Sequence, residues 1–172
     1  DHAITPLTEG VQGFSKEGDA NRKNFEFGKA LGLKAFSADP NPDSFDSLDK
    51  LCEEYKIAIA IHPHGPSGGG KLHRWYSAEV IMEAVAKRHR LIGTCLDTGH
   101  LIRSAQDPFN RKLDPAQQVR HMAARNFGLH LKDHDNMKRT DVVYGRGVLN
   151  VPEVLRALRE VKFQGYISIE YE

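Results

Sequence analysis

Imidazoles and carboxylates recur in this sequence at the ends of short apolar runs. Asp39 follows 33–38 (LKAFSA), His62 and His64 follow IAIAI, and Asp97 closes LIGTCLD with His100 three residues on. His130, Lys132 and Asp133 sit in FGLHLKD, and Glu170 closes GYISIE. Imidazole nitrogen and carboxylate oxygen both bind divalent ions, and imidazole also carries protons near neutrality. Singly, each has an ordinary explanation. His62-Pro63-His64 suits a turn after a strand, Asp97 in D-T-G suits a helix cap, and Glu170 suits a salt bridge. His130 is harder to explain that way, because an unpartnered imidazole within an apolar strand is costly. Lys132, two residues on, faces the same side. As a set, His62, Asp97, His130 and Glu170 suit Mn²⁺, Zn²⁺, Co²⁺ or Fe²⁺ better than Mg²⁺, which prefers oxygen ligands throughout.

The elements that carry these residues alternate. Five segments have strand length and composition: 33–38, 57–62, 91–97, 127–131 and 165–170. Between them, apolar residues recur at helical spacing: Leu48, Leu51, Cys52, Tyr55; Ala78, Ile81, Met82, Val85; and Val151, Val154, Leu155, Leu158. Looser helical patterns cover 19–31 and 115–125. Asn150 with Glu153 marks a helix start, Pro152 suits its first turn, and Gly32 marks a helix end. Residues 1–18 read as an irregular N-terminal segment of a single domain spanning 1–172. Strict alternation predicts an α/β fold with parallel strands, whose C-terminal ends share one face. That face would gather every residue named above.

Composition narrows the possibilities. Twenty-four Lys and Arg against 23 Asp and Glu give a net charge of +1, which supplies no electrostatic footprint for nucleic acid or an anionic membrane. The longest apolar run, 57–61, is far short of the roughly 20 residues that span a bilayer. No signal-like segment opens the chain, so a cytoplasmic location is expected, although the sequence starts at Asp1 without a methionine. Cys52 and Cys95 lie in apolar surroundings and read as core. Gly65 to Lys71 imitates a phosphate-binding loop, but Leu72 stands where Ser or Thr must hold Mg²⁺. The glycines instead suggest a mobile loop at the mouth of the site, with Lys71, His73 and Arg74 as anion contacts.

Together, I-A-I-H-P-H-G, C-L-D-T-G-H, G-L-H-L-K-D and the closing G-R-G-V-L-N-V-P-E-V-L…G-Y-I-S-I-E resemble the sugar phosphate isomerase/epimerase family, which has a xylose isomerase-like TIM barrel. The resemblance runs from about residue 24 to residue 170. A complete barrel takes about 250 residues. The five strands of these 172 residues therefore read as the last five of eight βα units, an incomplete barrel.

The resemblance implies a divalent metal, Mn²⁺ foremost, held by Asp97, His130 and Glu170, with His100 touching substrate. It also implies a small-molecule sugar substrate, no nucleic acid or membrane partner, and a possible homo-oligomer. Many family members carry a glutamate where His62 stands, a departure that leaves Glu170 as the only glutamate of the usual pair. The implied reaction is removal of a proton α to a carbonyl, with a metal stabilising the enediolate. Glu170 would be the base, His62 or His64 its partner, and Lys132 would polarise the carbonyl or hold a hydroxyl. Return of the proton gives an isomerase or epimerase. Expulsion of a leaving group from the same intermediate gives a lyase or dehydratase of keto-glycoside or inosose type, and a non-catalytic sugar-binding fragment is the third alternative.

Overall fold

Ladder hydrogen bonds join strands that start 23–40 residues apart in the sequence, and the result is one parallel sheet. A computed structural model describes residues 3–67, 70–106 and 108–170. In chain order the first elements are β1 (Thr8–Phe14), α1 (Gly18–Leu31), β2 (Ala35–Pro40), α2 (Phe45–Tyr55) and β3 (Ala58–Ile61). A short hairpin of β4 (Pro66–Ser67) and β5 (Lys71–Leu72) precedes α3 (Ala78–Val85), β6 (Ile92–Asp97) and α4 (Thr98–Ala105). Then come α5 (Pro115–Met122), β7 (Asn126–Leu131), a second hairpin of β8 (Asp133–Asp135) and β9 (Thr140–Val142), α6 (Val151–Glu160) and β10 (Tyr166–Ile169). The main sheet has the order β1-β2-β3-β6-β7-β10, with every neighbouring pair parallel.

The sheet curls. Flat, its edge strands would lie about 24 Å apart at the usual 4.8 Å spacing. Instead Thr8 Oγ1 on β1 donates to Tyr166 Oη on β10 at 3.1 Å. This curvature gives each strand an inner and an outer face, and side chains alternate between them. Ile59, Ile61, Leu96 and Leu129 point outward and are fully buried in the main core with α2, α3 and α5. Burial of each such side chain stabilises the fold by about 1.5–3 kcal/mol. The inner face carries small residues instead, Ala35, Ala58, Ala60 and Cys95, with Phe127 and Tyr166 packed against them.

Two expectations change. Residues 1–18 are not irregular throughout, because Thr8–Phe14 is the first strand of the sheet, which therefore has six strands rather than five. Its sequence, TEGVQGF, shows little apolar alternation, and only Phe14 is buried. β1 is held by backbone pairing to β2, with a register shift between Glu9 and Gln12. Gly10 is required there: its φ is +141° and a Cβ would sit 2.0 Å from the Ser37 carbonyl oxygen. The second change is one of element number: α4 joins directly to β6 and is a helix that the apolar spacing did not mark, although Asp97 caps it as its D-T-G suggests. The other boundaries agree with the sequence. Asn150 Oδ1 accepts from Glu153 N, Pro152 lies in the first turn of α6, and Gly32 adopts the left-handed conformation that ends α1. Cys52 and Cys95 are free and buried. Among the described residues, no helix is long and apolar enough to cross a membrane.

Candidate functional site

The inner-face alternation continues past the strand ends. On β3 the row Ala58, Ala60 leads to His62; on β6 Cys95 leads to Asp97; on β7 Gly128 leads to His130 and Lys132; on β10 Tyr166 and Ser168 lead to Glu170. Parallel pairing puts these ends side by side, with Asp97 opposite His130 and His130 opposite Ser168. One donor atom from each of His62, Asp97, His130 and Glu170 lies within 4.8 Å of the other three.

Asp97 is the fixed point of this cluster. It caps α4, its Oδ1 accepting from His100 N at 2.7 Å. Its Oδ2 is buried without a hydrogen-bond partner among the described residues, 3.5 Å from His62 Nε2 and 3.8 Å from His130 Nδ1. His62 is 3% exposed, and its Nδ1 likewise has no hydrogen-bond partner. His62 Nε2 and His130 Nδ1 face each other at 3.0 Å, and Glu170 Oε2 lies 2.7 Å from His130 Nδ1. Burial favours a neutral Asp97, but the imidazoles of His130 and His62 outweigh it and hold the carboxyl well below the usual carboxylate range. Burial likewise opposes a charged His130, yet the Asp97 carboxylate raises its pKa to about 10.

This donor set fits a divalent ion. Bonds of about 2.0–2.2 Å place neighbouring ligand atoms about 3.0–3.5 Å apart around a metal. The pairs found here, at 2.7, 3.0, 3.5 and 3.8 Å, bracket that spacing. Two imidazole nitrogens turned toward each other need a proton or a cation between them. The orphaned Asp97 Oδ2 faces the same point.

Lys132 borders the cluster and is fully buried. Its Nζ lies 2.5 Å from Glu170 Oε1 and 3.8 Å from both Asp97 Oδ2 and Asp141 Oδ2. Thr98 fixes its backbone, accepting from Lys132 N at 2.9 Å and donating to Lys132 O at 2.5 Å. The Lys132 stem runs over Gly99, where a Cβ would come within 2.6 Å of Lys132 Cδ. His64 stands beside the four donors, its ring 4.9 Å from that of His62 and 4.7 Å from that of His73. Burial, aided by those two neighbours, lowers its pKa to about 4, so it is neutral at pH 7. His100 lies on α4 with Nε2 at 4.0 Å from Asp97 Oδ2. A cavity of about 350 Å³ opens there, lined by His100, Arg103, Phe109 and His134 among others. A larger cavity of about 540 Å³ lies at the opposite end of the sheet, against Ala35, Ala58, Phe127 and Tyr166. It is mainly apolar and lies away from the donor cluster.

The anion contacts expected from Lys71, His73 and Arg74 are not formed as a group. Arg74 donates to Asp39 Oδ1 at 2.9 Å and to Asn41 Oδ1 at 2.6 Å, and His73 Nε2 lies 3.5 Å from Asp39. Asp39, at its own strand end, is drawn into that ion pair and away from the four donors. Lys71 is in the hairpin β4–β5, and Gly68 and Gly69 of the expected mobile loop lie outside the described residues. Three residues that sequence reasoning passed over join the site's rim: Arg103, His134 and Asp141. Arg103 is one helical turn beyond His100, a signal that depends on recognising α4. Asp141 is on β9, a three-residue strand with no periodicity to mark it.

A sequence profile of xylose isomerase-like TIM barrels matches residues 40–172. The chain belongs to that family. It is 29% identical over 136 residues to an uncharacterized protein of Methanocaldococcus jannaschii, covering 77% of this chain and 43% of that relative. Among solved structures, an uncharacterized protein from Parabacteroides distasonis is 30% identical, with a TM-score of 0.66 over 98% of this chain and 62% of the other. A D-tagatose 3-epimerase-like protein is 22% identical with a TM-score of 0.70, covering 90% of this chain and 61% of that one. The crystal structure of a D-psicose 3-epimerase in the presence of D-fructose is 13% identical with a TM-score of 0.69, covering 90% and 56%. At those two identities the likeness is one of fold. The chain spans about three-fifths of the length of these structures and under half that of the curated relative.

Proposed function

We propose that this xylose isomerase-like chain acts on a small keto-sugar, isomerising or epimerising it by moving a proton next to a carbonyl with the help of a divalent metal. The observation that carries the reading is the convergence of His62, Asp97, His130 and Glu170 from four adjacent strand ends, beside a buried lysine. Epimerases of keto-sugars among the chains of like fold add to it.

When bound to those four residues, a divalent ion such as Mn²⁺ supplies Lewis-acid stabilisation of the negative charge that develops on the sugar oxygens. The chain's own residues do the rest. Glu170, held by Lys132 at 2.5 Å, is the base that takes the α-proton. Lys132, buried behind Glu170, orients that carboxylate and places a positive charge close to the reacting centre, where it stabilises the negative charge that develops. With His62 committed to the donor set, His64 is the second proton carrier at the rim. His100 holds a substrate hydroxyl.

The test is incubation of ketohexoses and ketopentoses with the Mn²⁺-loaded chain in D₂O, followed by mass and NMR analysis of the products. The expected product is an isomeric sugar carrying one solvent deuterium at the carbon that changes. An unsaturated or deglycosylated product would replace this reading with elimination. Recovery of unlabelled, unchanged sugar across the series would overturn catalysis and leave sugar binding.

A further inference from the structure

Beyond the four donors, a chain of polar contacts ends on His100. His134 Nδ1 lies 2.8 Å from Asp141 Oδ1. Arg103 Nη1 donates to both oxygens of the same carboxylate, at 2.9 and 3.0 Å. Arg103 Nη2 in turn lies over the His100 ring, 2.8 Å from Nδ1 and 3.4 Å from Nε2, and the Gly65 backbone N–H donates to Nδ1 at 2.7 Å. Gly65 can approach because it lacks a side chain: a Cβ there would come within 3.1 Å of His100 Nδ1 and 3.3 Å of Arg103 Nε.

A peptide N–H has only a proton to offer, and the one in-plane lone pair of His100 Nδ1 takes it from Gly65. His100 Nδ1 must therefore accept, and the ring proton must sit on Nε2. That nitrogen is the one turned toward the donor cluster, 4.0 Å from Asp97 Oδ2. Metal-ligating histidines show the opposite arrangement, donating the N–H of the ring nitrogen that does not bind the ion. His62, His64 and His100 also bring three ring nitrogens within 4.8 Å of one another, which taken alone reads as a second metal site. The proton placement on His100 removes it from that trio.

We infer that Arg103, gripped by Asp141, works with the Gly65 amide to fix His100 as an Nε2–H donor aimed at a substrate oxygen, so that Arg103 and Asp141 are positioning residues that act through His100. Asp141 suits this role because it is 7% exposed and its two oxygens are already shared among Arg103, His134 and Lys132. Arg103 is thereby held with Nη2 against the His100 ring. The substrate-facing half of the inference rests on the proposed keto-sugar reaction. The tautomer rests on geometry alone.

The test uses the whole chain labelled with ¹⁵N-histidine, in its metal-free and Zn²⁺-loaded forms, with long-range ¹H–¹⁵N correlation to locate each ring proton. His100 is expected to carry its proton on Nε2 in both forms. In Arg103→Met the ring loses the guanidinium packed over it and is held by the Gly65 amide alone, so the Nδ1 resonance should move toward that of an imine nitrogen with a weaker hydrogen bond. KM for the keto-sugar should rise at least tenfold while metal content stays that of the wild type. Asp141→Asn should move the same resonance in the same direction by less, and Arg103→Lys should recover part of the KM loss. A proton on Nδ1 in the wild type, an Nδ1 resonance unmoved by Arg103→Met, or loss of one equivalent of bound metal in His100→Gln would each overturn the inference. If the wild type turns over no keto-sugar, the proposed reaction and the substrate-facing role fail together, and the ¹⁵N resonances still decide the tautomer.

Discussion

His62 Nε2 and His130 Nδ1 face one another at 3.0 Å although 68 residues separate them in the chain. Two ring nitrogens that close, beside a buried carboxylate oxygen with no hydrogen bond, form a place for one cation. A proton on His130 fills it in the metal-free chain, and a divalent ion can take its place.

Metal content should follow from this. Purified chain reconstituted with Mn²⁺ should retain one ion, measured by elemental analysis after desalting. Asp97→Ala removes the oxygen that faces both imidazoles and should weaken binding by at least about 100-fold, more than the 10–100-fold typical of outer-shell changes. Glu170→Ala removes the most exposed of the four donors and should weaken it less. Unchanged metal content in both variants would remove the site.

Binding should release a proton. His130, raised to about 10 by Asp97 against the effect of burial, is an imidazolium at pH 7 and must lose that proton to ligate. Apparent affinity should therefore rise about tenfold per pH unit between pH 7 and 9. Calorimetry in buffers of different ionisation enthalpy should count about one proton released at pH 7. The sign for the metal-free fold runs the other way. A pKa raised above its ordinary value stabilises the folded state fully below about 6.5, and that contribution fades as pH rises through about 10. The metal-free Tm should fall over that window, and the fall should shrink in His130→Gln.

Lys132 balances three carboxylates, Asp97, Asp141 and Glu170. Lys132→Met keeps most of the stem but leaves those charges uncompensated, and should destabilise the metal-free chain by about 3–5 kcal/mol in urea titrations. Mn²⁺ restores positive charge nearby, so it should raise the Tm of this variant more than that of the wild type. An equal rise in both would mean that Lys132 and the ion do not share the same carboxylates.

Gly99 tests how closely α4 must approach β7. A methyl group there would sit 2.6 Å from Lys132 Cδ, and the lysine is fully buried with nowhere to move. Gly99→Ala should cost about 1–3 kcal/mol as overpacking. It should also lower turnover, because Nζ would shift relative to Glu170. Full stability with wild-type turnover would mean that α4 can back away without consequence.

Much of this was legible in the sequence because strands have period two. Once LIGTCLD and FGLHLKD are taken as strands, Leu96 and Leu129 must face one way and Asp97, His130 and Lys132 the other. Parallel order then puts their ends on one face. Strand β1 was not legible. TEGVQGF is held by backbone bonds to β2, and backbone bonds leave no pattern in side-chain chemistry. Arg74 shows the converse limit: its charge is plain in the sequence, but its engagement by Asp39 and Asn41 depends on a contact across 33–35 residues.

By itself, then, the sequence determined the α/β alternation, the inner and outer rows, and the strand-end places of His62, Asp97, His130, Lys132 and Glu170, because each follows from local periodicity and residue type. Only the tertiary structure decided the sixth strand, the curl that brings Thr8 to Tyr166, and the grip of Asp141 and Arg103 on His100. Those depend on distances between segments far apart in the chain, set by the curvature of the whole sheet and by the direction in which each buried polar group can find a partner.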